Sequence, residues 1–424
     1  MNQAIGAEAI LKKRKQYFYP CTAHFYKQPP QIVRGRMQYL YDDNGKQYLD
    51  CFAGVSVVAC GHCNEEITRA TIRQLETLQH TTTLYLTQPM ADLCERLERI
   101  LPGQIRRTFF CNSGSEANEG ALLHARLYTG RRNFIALDKG LHGRTYLTMG
   151  VTGLPMWRAD DYLDAEVSFI SRPHDVSLTS EEAAHRSLDE LKRLLEEKGE
   201  TFAAMIVEPV QGNGGMIVPA PWYFREVKAL LKQYGILLIA DEIQTGFGRT
   251  GRMFAMEHFG VVPDILSMAK ALGNGIPISC FSTTDEIASA FNRPSASTFG
   301  GNPVSSATAI AVLEYIQEHN LAECAESLGN TLMHGLNMML KYKIVSEVRG
   351  LGLMVGVEIC AENPERGAVL VDRILEEMKD RGYLIGKNGV GRNVLAFQPP
   401  LVITEEDLNS MLVALDEVIA GCQS

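Results

Sequence analysis

Apolar residues along this chain fall into two alternating rhythms. Short runs at 107–111 (RTFFC), 133–137 (NFIAL), 203–207 (AAMIV), 236–240 (ILLIA) and 264–268 (DILSM) read as strands. Between them lie stretches with a helical repeat, at 115–129, 186–198 and 222–234. Apolar strands alternating with helices predict an α/β chain with a mostly parallel central sheet covered on both faces. Upstream, runs at 32–40 and 46–52 flank Asp42-Asp-Asn44-Gly45, which predicts a tight hairpin with positive φ at both Asn44 and Gly45. After residue 320 the rhythm changes. A helix at 321–341, strands within 346–359, a helix at 367–381, extended pieces at 383–387 and 393–397 and a helix at 405–420 predict a smaller α+β unit. The expected organisation is an N-terminal segment, 1–60, joining that small unit, a large domain at 61–320, and a C-terminal small domain at 321–424.

Composition narrows the field. The chain has 424 residues, 46% hydrophobic and 21% charged, which is a globular balance. Its net charge is −9, and its one basic cluster, Lys12–Lys15, is short, so a nucleic-acid partner is not expected. No apolar run reaches the ~18 residues of a membrane span. In the opening stretch the charges follow a short apolar piece, the reverse of an export signal, so a cytoplasmic protein with reduced cysteines is expected.

Four segments carry candidate chemistry. Asn112-Ser-Gly-Ser-Glu-Ala-Asn118 follows a strand and opens a helix, where free N–H groups can cradle an anion; it reads equally as an ordinary Ser cap with Glu in the first turn. Ile236–Ala240 runs into Asp241 and Glu242 at a strand's carboxyl end, the edge where open α/β sheets bind ligands. Lys270 ends a further apolar run before a Gly-rich turn, and a desolvated lysine there suits Schiff-base chemistry. Ser297-Thr-Phe-Gly-Gly-Asn-Pro303 is a glycine turn with hydroxyls. Two other motifs are set aside. Cys60-Gly-His-Cys63 has no second C-x-x-C to complete a zinc site, and no metal is expected. Gly350-Leu-Gly-Leu-Met-Val-Gly356 lacks the spacing and context of a dinucleotide fingerprint and reads as closely packed strand.

The four segments, in this order, resemble the class III aminotransferase family of pyridoxal-phosphate (PLP) enzymes with fold type I, over essentially the whole chain. The resemblance implies that Lys270 carries PLP as a Schiff base and that Asp241 pairs with the ring nitrogen. It places Gln244 by the phenolic oxygen, and Ile243 and Leu141 against the ring. Gly114 and Ser115 would hold the phosphate, and Thr298 would reach the phosphate of the neighbouring subunit in a homodimer. His142 and Gly143 match the family's aromatic-His-Gly motif, although Leu141 stands where an aromatic is usual. Glu208 matches a substrate-side glutamate.

A second departure concerns the reaction. Family members acting on α-amino or 2-oxo acids carry an arginine three residues before the Pro-Pro pair, to grip a carboxylate. Here that position is Ala396, with Arg392 nearby but out of register. A carboxylate buried there without its cation is disfavoured by several kcal/mol. The stretches 32–51 and 392–400 resemble the branch containing ethanolamine-phosphate phospho-lyases, 1-hydroxy-2-aminoethylphosphonate ammonia-lyases and alanine–glyoxylate-type aminotransferases. The expectation is therefore a PLP-dependent lyase acting on a small 2-aminoethyl phosphonate or phosphate, with Arg392 and Glu208 as candidate substrate residues. The alternative is an ω-amino acid or alanine–glyoxylate-type aminotransferase.

Overall fold

A computed structural model of the chain describes residues 4–160 and 166–423. Its strands are β1 (Ile32–Arg36), β2 (Tyr39–Asp42), β3 (Gln47–Asp50), β4 (Arg107–Cys111), β5 (Asn133–Leu137), β6 (Val167–Ile170), β7 (Phe202–Val207), β8 (Leu237–Asp241), β9 (Ile265–Met268), β10 (Ser279–Thr283), β11 (Val345–Leu351), β12 (Met354–Ile359), β13 (Tyr383–Leu384), β14 (Gly386–Asn388) and β15 (Val394–Phe397). Seven of them form the central sheet, in the order β4-β10-β9-β8-β7-β5-β6. Each pairing among β9, β8, β7, β5 and β6 is parallel, while β10 runs antiparallel to both its neighbours. The sheet is thus parallel-rich α/β, and every residue of β7 and β8 is buried, as strands covered on both faces require.

β10 escapes a periodicity reading because Ser279-Cys-Phe-Ser-Thr283 looks polar. Its hydroxyls are consumed internally: Ser279 Oγ donates to Ser113 O at 2.8 Å and Thr283 Oγ1 to Asp264 O at 2.7 Å. Ser282 and Thr108 share a hydroxyl contact at 2.8 Å. Buried strands tolerate such residues when each polar atom is met.

The predicted 32–40 strand is split into β1 and β2. The hairpin turn to β3 is also looser than expected. Gly45 has φ 83°, but Asn44 stays out of the left-handed region. The Asp42 carboxylate accepts the N–H groups of Asn44 and Lys46, both at 2.9 Å, and this side-chain turn replaces the two-residue form. β3 then pairs in parallel with β13, which ties the start of the chain to its C-terminal part.

β11, β12, β15 and β14 form a third sheet. The glycine-rich stretch 350–356 is the β11–β12 turn, where the chain packs backbone against backbone. Helix Leu321–Asn337 crosses this turn so closely that a Cβ on Gly329 would lie 2.4 Å from the carbonyl carbon and oxygen of Gly352. Gly329→Ala is therefore expected to destabilise the protein by about 1–3 kcal/mol, read by urea unfolding. Gly421→Ala, in a helix with nothing within 4 Å, is the control and should stabilise slightly.

Candidate active site

A cavity of about 620 Å³ opens at the carboxyl ends of β8 and β9. It is lined by Gly114, Ser115, Leu141, His142, Glu208, Asp241, Ile243, Gln244 and Lys270, so nine of the eleven predicted site residues converge on it. Two do not. Thr298 is exposed beside Thr81–Thr83 and Gly301, on a separate shallow cleft. Arg392 lies off the cavity, with its guanidinium 5.5 Å from the centroid of the Phe25 ring.

Asp241 ends β8, and its carboxylate makes three contacts within the protein. Oδ2 accepts from Asn118 Nδ2 at 2.7 Å and contacts His142 Nδ1 at 2.8 Å; Oδ1 accepts from Ile243 N at 3.2 Å. Asn118 also donates to His142 O at 2.7 Å, which binds the carboxylate, the imidazole and the helix into one unit. The helix is Gly114–Thr129. The cap reading of its start is what the structure shows: Ser113 and Glu116 cap each other, and among the described residues the N–H groups of Gly114 and Ser115, on the cavity wall, meet no acceptor. A Cβ at Gly114 would come 2.8 Å from Ile243 Cδ1, so a larger residue there would push the Ile243 side chain aside.

Lys270 follows β9 at φ 45°, a strained value for a residue with a side chain. Its turn is anchored by Asn274, whose Oδ1 accepts from Cys60 N at 2.9 Å and whose Nδ2 donates to Gly61 O at 3.0 Å. Burial lowers the Lys270 amine from its ordinary value, against the opposing pull of the Asp241 and Glu208 carboxylates. Glu208, at the end of β7, accepts from Leu141 N at 2.8 Å and Gly212 N at 3.0 Å. Burial pushes its carboxyl up to about 7.

Three residues that the sequence reading did not single out also belong here. Asn118 lies inside a motif already noted, yet only the fold brings it to Asp241. Arg144 lies exposed on the cavity wall with its backbone N–H on Ser115 Oγ at 3.2 Å. Trp157 supplies an aromatic wall where Leu141 does not. The position of Ala396 is now explicit: it is wholly buried on β15, packed with Val210, Met216 and Met354. Cys60 is buried and Cys63 exposed, both as free thiols. Among the described residues, no group of three His, Cys, Asp or Glu side chains could hold a metal.

Comparison with known proteins agrees with this geometry. The class-III aminotransferase family description matches residues 23–419. The chain is 40% identical over 417 residues to alanine–glyoxylate aminotransferase 2 homolog 2, mitochondrial, of Arabidopsis thaliana, covering 97% of this chain and 87% of the relative. It is 39% identical over 398 residues to acetylornithine aminotransferase of Methanocaldococcus jannaschii, covering 92% and 93%. A thermostable (S)-enantioselective omega-transaminase from Thermomicrobium roseum superposes with a TM-score of 0.92 at 30% identity, covering 99% and 100%. A phospholyase from Arthrobacter, in complex with phosphoethanolamine, superposes with a TM-score of 0.89 at 33% identity, covering 97% and 99%. The chain belongs to the class-III aminotransferase family, whose members are PLP-dependent enzymes and typically homodimers.

The donor set fits that cofactor. A helix N-terminus suits a phosphate, a buried carboxylate suits a protonated ring nitrogen, and an amine of lowered pKa suits an aldehyde. The buried Nε2 of His142 has no hydrogen-bond partner among the described residues.

A pH effect follows from the buried carboxyls. Glu242, wholly buried with Oε1 accepting from Met256 N at 2.9 Å, is also pushed up to about 7 by burial. Glu208 and Glu242 both bind their protons more tightly folded than unfolded, so their contribution to stability falls as pH rises from 4.5 to about 7. Glu242→Gln is expected to flatten that fall in the cofactor-free protein, measured as urea unfolding free energy against pH. An unchanged slope would show that Glu242 titrates alike in both states.

Proposed function

We propose that this protein is a PLP-dependent lyase that eliminates from a small 2-aminoethyl phosphonate or phosphate, giving an aldehyde and ammonia. One observation carries the reading. Among the described residues the cavity wall offers two cationic side chains, Lys270 at the reacting end and Arg144 at the open side, and neither position 396 nor Arg392 adds a third. Position 396 therefore offers no guanidinium to the carboxylate of an incoming oxo acid, the acceptor that a transamination cycle needs. An amine whose anionic group lies toward Arg144 meets a cation at the right end. The 33% identity to a phospholyase solved with phosphoethanolamine supports the same choice.

In this reading Gly114 and Ser115 bind the cofactor phosphate, Asp241 keeps the ring nitrogen protonated, and Leu141 and Ile243 flank the ring. When bound, PLP supplies an electron sink for the charge left on the substrate carbon. Lys270, whose amine burial lowers from its ordinary value, removes the proton from the amine-bearing carbon. Hydroxyl or phosphate then departs from the adjacent carbon. From 1-hydroxy-2-aminoethylphosphonate the products balance as phosphonoacetaldehyde and ammonia; from phosphoethanolamine and water, as acetaldehyde, phosphate and ammonia. Glu208 sits at the substrate side.

The reading includes a homodimer in which Thr298 serves the neighbouring subunit's phosphate site. Thr298 lies on a surface that exposes Leu84, Tyr85, Leu86 and Phe299, the kind of apolar patch a second copy covers. The second reading, an aminotransferase, is favoured by the relatives of alanine–glyoxylate and acetylornithine type.

PLP-loaded protein mixed with either substrate, without any oxo acid, is expected to release ammonia and aldehyde over many turnovers. Arg144→Ala in the same assay should raise KM about tenfold or more, the loss of one charge-assisted contact. Conversion that stops after one equivalent and resumes only with pyruvate or glyoxylate would make the enzyme an aminotransferase.

A further inference from the structure

Gln398 follows β15, is wholly buried, and takes no part in the chemistry above. Its backbone N–H donates to Cys51 O at 2.8 Å, which fixes the segment against the N-terminal chain. Its side-chain Nε2 stands 3.1 Å from Gln244 Oε1 and 3.1 Å from Ser56 Oγ. Gln244 lines the cavity. Its Oε1 is also backed by Gly212, where a Cβ would come within 2.4 Å of it.

We propose that Gln398 is a positioning residue for the cofactor site, turning the Gln244 amide so that its Nε2 donor faces the cavity. With Gln244 reversed alone, two amide nitrogens would oppose each other in a dry interior, leaving donors unmet. With both amides reversed, the Gln398 nitrogen would take the place of its Oε1, which meets no partner among the described residues. An acceptor left unmet there is the lesser penalty, because an amide nitrogen would leave two donors unmet.

The same side chain secures a strained part of the wall. Ala53, Gly54, Val55 and Ser56 all have positive φ, 49°, 63°, 67° and 54°. A left-handed turn containing a β-branched residue persists only where its surroundings enforce it. Asp50 Oδ1 accepts from Phe52 N at 2.9 Å and Ala53 N at 2.8 Å at one end; Gln398 contacts Ser56 at the other. The next residue, Val57, lines the cavity. Gln398 thereby joins the C-terminal sheet, the N-terminal turn and the cofactor-side amide.

A donor facing the cavity stabilises an anionic oxygen placed against it. The inference rests on the reading of this cavity as a PLP site with Gln244 beside the ring's phenolic oxygen, and it holds for lyase and aminotransferase alike. The test is the pH midpoint of the visible absorption of PLP-loaded protein without substrate, with melting temperature recorded alongside. Gln398→Glu, once ionised, offers only acceptors to Gln244 and Ser56 and should raise the midpoint by about one unit, the worth of one hydrogen bond to a charged atom. Gln398→Met, similar in volume, should shift it the same way by less and serves if the glutamate variant does not fold. Gln244→Ala should raise the midpoint alone, and Gln244→Ala with Gln398→Glu should go no further, because both act through one donor. Unchanged midpoints in both position-398 variants, or a double shift equal to the sum, would overturn the proposal. A wild-type protein with no visible band after PLP addition would overturn the cofactor reading itself, and the proposal with it.

Discussion

A carboxylate taken out of water at the end of a buried strand is tolerable only when its oxygens are met by donors. Asp241 is such a carboxylate, and the surrounding structure is arranged to meet it. Asn118 comes from the helix after β4, His142 from the loop after β5, and Ile243 from the turn after β8 itself. Satisfying one side chain therefore brings three separate segments to one place. The consequence is a cavity whose wall brings together the helix start at Gly114 and Ser115, the His142 imidazole and the apolar side chains of Leu141 and Ile243.

The charge balance of that cavity shapes its chemistry. Two carboxyls, Asp241 and Glu208, face one lysine on the inner wall, and among the described residues the further cation of the lining, Arg144, stands on the open side. Burial pushes the Glu208 carboxyl up to about 7, against the opposing pull of His142. The inner wall thus receives amines well and anions poorly. This polarity favours substrates whose anionic end stays away from Lys270. Ala396, sealed behind Val210 and Met354, leaves no room in that wall for the family's usual carboxylate grip.

Much of this was legible in the sequence because it rests on local signals. Apolar runs of strand length mark β4, β5, β7, β8 and β9 to within a residue or so, and Asp241 and Lys270 stand out as charges placed where such runs stop. The misses are tertiary in origin. β10 hides because its hydroxyls find partners on β4, on the loop before β9 and at Ser113. Asn118 and Gln398 occupy ordinary positions on a helix and after a strand, and their importance lies in contacts 123 and 154 residues away in the chain. Arg392 shows the converse: closeness in sequence to the Pro-Pro pair says nothing of direction, and the side chain turns outward onto Phe25.

The central claim concerns where the substrate's nitrogen goes, and it is tested most directly by following that atom. Substrate labelled with nitrogen-15 would be mixed with an excess of PLP-loaded protein, without oxo acid, and protein and solution separated after a single turnover. The account predicts that the label is recovered in solution as ammonia, in equal amount to the aldehyde. Label retained on the protein until pyruvate or glyoxylate is added would contradict it.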